Sequence, residues 1–139
     1  MKKTNLIYSL TAILTMTFAS CNNDNGTTPD TEKPTITIVS PADEASFASG
    51  SDIHADLKFS DNQELASYKV DIHSADGHTH DKHSFWSYEF SGSLSGKNAQ
   101  EHLDINIPSG IQSGHYHFGV YAIDKSGNQN VVWIEIEVQ

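Results

Sequence analysis

Cysteine is almost absent from this sequence of 139 residues, and arginine is missing altogether. The single cysteine, Cys21, has no second thiol in the chain to pair with, so no internal disulfide can staple the fold and an apolar core must hold it. All eight basic residues are lysines, set against 18 acidic ones. Polyanions would be repelled, which excludes nucleic acid and anionic membrane surfaces as partners and leaves cations open. Long hydrophobic runs are lacking as well: Leu6 to Phe18 is the longest, short of the roughly 20 residues that cross a bilayer. No stretch carries a helical apolar period. Catalytic signatures are also missing. There is no H-E-x-x-H and no phosphate-binding glycine loop, and Gly92-Ser93-Leu94-Ser95-Gly96 puts Leu94 where the nucleophile of G-x-S-x-G would stand. Glu89 and Glu101 could serve as general bases, but nothing in the sequence places them beside a reactive centre, so an enzyme is not expected.

What is present begins with an export signal. Lys2 and Lys3 precede the apolar run, and Phe18-Ala19-Ser20 brings small residues up to Cys21. A cysteine directly after such a pair is the lipobox arrangement, here with Phe18 where leucine is usual. The expectation is a cleaved signal peptide over 1–20 and a diacylglycerol-carrying Cys21, so that the membrane is met through a lipid anchor alone. Removing Lys2 and Lys3 with the leader leaves six lysines against 18 carboxylates, a net of −12 before the histidines. Residues 22–33, NNDNGTTPDTEK, hold no apolar side chain and read as a solvated tether from Cys21 to Lys33.

From Pro34 to the end, short alternating runs are separated by turn residues, which predicts one all-β domain over 34–139. Strands are expected at Thr35–Val39, Ser51–Ser60, Ala66–His73, Phe85–Phe90, Gln100–Ile107, His115–Ile123 and Asn130–Val138. Within them Ile53, Ala55, Leu57 and Phe59 share one face, as do Tyr68, Val70 and Ile72, while polar residues take the other. SGSLSGKN reads as a turn-rich connection, and Asp124 to Asn128 as a hairpin loop. About seven such strands predict an immunoglobulin-like antiparallel β-sandwich. Tyr116, inward at the start of its strand, fits the tyrosine-corner position. Gly114, Tyr116, Ala122, Asp124, Gly127 and Asn128 together resemble the last hairpin of bacterial immunoglobulin-like repeats, a likeness that speaks to fold and not to activity.

The eight histidines carry the chemistry. His115 and His117 form H-x-H on a strand, where residues two apart face the same way about 6.8 Å apart; His78, His80 and His83 form H-x-H-x-x-H in a loop. Alternating strand direction brings His73, the loop and the start of the His115 strand to one pole, and in an immunoglobulin-like sheet the His73 and His115 strands are neighbours. Six histidines, His73, His78, His80, His83, His115 and His117, are therefore expected to converge, with Asp71, Asp76 and Asp81 near in sequence. His54 falls on the other sheet and His102 nearer the opposite end. One exposed histidine is ordinary polar surface, but six at one pole point to a divalent transition metal. Imidazole ligands without thiolate suit zinc, copper or nickel and disfavour calcium. Calcium at Asp124–Asn128 is the weaker idea, because a hairpin turn already explains that segment.

The lipobox, the sandwich of about 100 residues and the histidine-rich middle loop together resemble an uncharacterised, domain-of-unknown-function family of small Bacteroidota lipoproteins. That resemblance implies outer-membrane attachment, on its periplasmic or surface face, and, through the histidines, a role in metal handling. The first functional expectation is capture or buffering of zinc or copper, passed on to an outer-membrane uptake receptor. The alternative expectation is an adhesion module that binds a protein or glycan through Trp86, Tyr121 and Trp133.

Overall fold

The computed structural model describes residues 28–75 and 85–139. Eight strands form in the order β1 (Thr35–Ser40), β2 (Ala45–Phe47), β3 (Asp52–Ser60), β4 (Leu65–Ser74), β5 (Tyr88–Ser93), β6 (Asn98–Asn106), β7 (Gly114–Asp124) and β8 (Gln129–Val138). One sheet has the order β1-β3-β6 and the other β2-β8-β7-β4-β5, and the two pack face to face as an immunoglobulin-like β-sandwich. Neighbouring strands are antiparallel except β2, which runs parallel to β8.

The core follows from the period-two pattern. Ile53, Ala55, Leu57 and Phe59 of β3 meet Tyr68, Val70 and Ile72 of β4 and Tyr116, Phe118, Val120 and Ala122 of β7, all buried. Burying side chains of this size contributes about 1.5–3 kcal/mol each, which is how the domain holds without disulfides. Tyr116 also donates its hydroxyl to the Gln112 carbonyl at 2.8 Å, the bond that makes a tyrosine corner.

Two strands differ from the sequence expectation. β2 was not foreseen: Pro41 interrupts the chain after β1, and the three residues of β2 then pair with β8 on the opposite sheet. Such a short run is too brief for alternation to show. The aromatic strand expected at Phe85–Phe90 lies instead at Tyr88–Ser93, so Ser91, Gly92 and Ser93 are ladder residues and not turn. The reason lies in Gly92, opposite Tyr68: a Cβ there would come within 2.3 Å of the Tyr68 ring. Small residues read as a turn were making room for a core aromatic.

Candidate metal centre on the outer sheet face

β4 and β7 are neighbours, with His73 directly opposite His117. The parity that turns Ile72 and Phe118 into the core turns these histidines outward. Their rings meet edge to face, centroids 5.4 Å apart. One row further along, Gly119 lies between Asp71 on β4 and Trp133 on β8. The absent Gly119 side chain lets the Trp133 indole lie over the β7 backbone; a Cβ would stand 2.2 Å from its ring. Trp133 thereby touches three rings, with centroids 5.4 Å from His73, 6.2 Å from His117 and 5.6 Å from Tyr121. It remains 42% exposed.

Carboxylates orient two of the histidines. Asp71 Oδ1 lies 3.0 Å from His73 Nδ1, and Glu135 Oε1 lies 2.7 Å from His115 Nδ1. An ionised carboxylate only accepts, so in the neutral rings the proton sits on Nδ1 and the free lone pair on Nε2. This carboxylate–histidine arrangement is the one that fixes metal-ligating imidazoles. Burial would push the Asp71 carboxyl up, but hydrogen bonds from His73 and Lys69 outweigh it and hold it below its usual range. Asp71 thus stays an acceptor for His73. Lys69 bridges Asp71 and Glu89 at 3.3 and 3.1 Å and sits 4.9 Å above the Tyr121 ring.

Of the six histidines expected to converge, His73, His115 and His117 share this face. His78, His80 and His83 lie outside the described residues, as do Cys21 and the expected signal peptide. The three strand histidines do not all bring ring nitrogens within 4.8 Å of one another. A closed site on this face therefore needs a further donor, and the segment joining β4 to β5 carries three. His54 and His102 stand apart, on the outer face of the other sheet. There they pair with Asp104 and Asp56 across β3 and β6.

Among the adhesion residues, Tyr121 and Trp133 do share the outer face. Trp86 does not: it is 8% exposed and packs between Tyr88 and Tyr116 in the core. Its place just ahead of a displaced strand explains the misreading.

Sequence reasoning missed a second convergence, at the opposite pole. Asp30, Asp61 and Asp124 bring carboxylate oxygens within 4.8 Å of one another. Asp124 ends β7, seven residues beyond His117, so the two clusters stand about 24 Å apart along that strand. Its D-K-S-G-N turn was visible in the sequence; its meeting with Asp30 from the expected tether and Asp61 from the end of β3 was not. Among the described residues no helix is long and apolar enough to cross a membrane.

Comparison with known proteins speaks to the fold. The chain is similar to Spo0M, a sporulation control protein from Bacillus subtilis, at 11% identity and a TM-score of 0.54 over 77% of this chain and 49% of that one. It is similar to OgpA from Akkermansia muciniphila at 16% identity and a TM-score of 0.53 over 78% of this chain and 30% of that one. A DUF4466 family protein from Parabacteroides merdae matches at 11% identity and a TM-score of 0.50, over 77% and 44%. The chain thus spans half or less of the length of each of these three proteins. No curated protein sequence matches it. A family model described as a domain of unknown function matches residues 19–139.

Proposed function

The chain belongs to the DUF4625 family, a domain of unknown function, and we propose that it is a bacterial outer-membrane lipoprotein that captures zinc or copper through histidines at one pole of its sandwich. The observation that carries this reading is the His73–His117 pair, opposite one another on adjoining strands and next to the segment that bears His78, His80 and His83. Two ligands on paired strands need little further ordering, and Asp71 leaves the Nε2 atom of His73 free to bind. The Trp133 ring packs against both imidazoles and limits their contact with water on one side. Anchoring through Cys21 would keep captured metal at the envelope for buffering or for delivery to an uptake receptor. No catalytic step is proposed for the site.

The test is calorimetric titration with zinc at pH 7.5 and 5.5. Neutral imidazole binds metal and imidazolium does not, so affinity should fall at least tenfold at the lower pH. Equal affinities would contradict histidine ligation.

A second reading has its own observation. Trp133 lies flat over Gly119 beside Tyr121, which offers a stacking surface for a sugar ring in an adhesion module. Zinc-independent glycan binding lost in Trp133→Ala would favour it.

A further inference from the structure

We infer that Asp30, Asp61 and Asp124 form a calcium-binding site at the pole opposite the histidines. The three carboxylates come from distant parts of the chain, and their oxygens lie within 4.8 Å of one another. Calcium takes oxygen ligands at about 2.3–2.6 Å, so two oxygens on one ion are at most about 5 Å apart, and the observed spacing fits a shared ion.

A second observation concerns individual atoms. Asp30 Oδ2 and Asp61 Oδ1 each expose less than 1 Å² and have no hydrogen-bond partner among the described residues. In both residues the other oxygen is already tied. Asp30 Oδ1 accepts from Asn62 Nδ2 at 3.0 Å and from the Glu32 amide at 3.1 Å, and Asp61 Oδ2 accepts from the Gln63 amide at 2.8 Å. One oxygen of each carboxylate is thus held by donors while the other is bare and shielded from water. A buried bare carboxylate oxygen is costly unless something positive meets it.

Asp124 completes the set. It is 2% exposed, with Oδ1 and Oδ2 accepting from the Asn128 amide and side chain at 2.8 and 2.7 Å. Burial pushes its carboxyl up, yet the Asn128 side chain and the turn amides of Asn128, Ser126 and Gly127 outweigh burial and keep it ionised. Among the described residues no lysine or histidine pairs with any of the three, so the cluster gathers negative charge without a protein cation. Hard carboxylate oxygens select calcium over zinc or copper. Asn128 Nδ2 also donates to the Asp30 carbonyl at 3.1 Å, so a bound ion would clamp the incoming chain onto the end of the domain.

The experiment is thermal unfolding and calorimetry of chelator-treated protein with calcium chloride. At 5 mM calcium the wild-type Tm should rise by at least about 5 °C. Asp30→Asn and Asp61→Asn should abolish that rise while leaving the calcium-free Tm unchanged or higher, because each removes repulsion from an empty cluster. Asp30 lies before β1, so its variant keeps the test valid should Asp61→Asn fold poorly. A His73→Ala/His117→Ala variant should respond to calcium like wild type, which separates this site from the histidine pole. No heat and no shift in the wild type would overturn the inference, and an equal response to magnesium would overturn the assignment to calcium.

Discussion

His73 on β4 faces His117 on β7 across one rung of the ladder, rings edge to face at 5.4 Å, with Trp133 against both. On the proposed reading, losing either imidazole removes a ligand already placed by the sheet, whereas His78, His80 and His83 can substitute for one another. His73→Ala or His117→Ala should weaken zinc binding at least tenfold, about 1.4 kcal/mol, and more than any single change at His78, His80 or His83. His102→Ala should leave zinc binding unchanged, because His102 pairs with Asp56 on the other sheet. Titration of the variants measures the order.

His54 provides a pH probe outside that face. Its Nδ1 lies 2.6 Å from Asp104 Oδ1, and the hydrogen bond and charge of Asp104 raise its pKa above 6.5. A raised folded value means that the pair stabilises the fold below the unfolded pKa near 6.5, and that this contribution fades as pH rises through the folded value. NMR titration should place His54 above 6.5 in the wild type and bring it back down in Asp104→Asn. An unshifted His54 in that variant would remove Asp104 as the cause.

Two glycines should respond differently to the same substitution. Gly92→Ala drives a methyl into the ring of buried Tyr68 and should cost about 1–3 kcal/mol in urea unfolding. Gly119→Ala meets the exposed Trp133 ring, which can swing away, so stability should change by less than about 1 kcal/mol. The indole emission should shift and zinc binding should weaken. Equal stability losses would show that Trp133 is fixed more firmly than its exposure implies.

Tyr116→Phe deletes the hydroxyl that reaches the Gln112 carbonyl and should cost about 0.5–1.5 kcal/mol without altering metal binding. Cys21→Ser should release the protein from the membrane fraction; a variant that still sediments with membranes would remove the lipobox reading.

Much of this was legible because strand parity is a strong signal. The alternation in 53–59, 68–72 and 116–122 gave the buried face, and the same parity turned His73 and His117 outward together. β2 was hidden by its three-residue length, and β5 by aromatic residues that drew the eye three residues too early. Trp133 over Gly119 depends on cross-strand register, which no single strand reveals. The aspartate cluster was least visible. Asp30 carries no local pattern in a polar stretch, and Asp61 joins Asp124 only once the sandwich closes.

Metal content after purification without a nickel column tests the central claim most directly. Wild-type protein saturated with zinc at pH 7.5 and desalted should retain about one zinc per chain through its imidazoles, and the His73→Ala/His117→Ala protein should retain far less at unchanged Tm. Retention of the same zinc by that double variant, or of none by the wild type, would contradict the account.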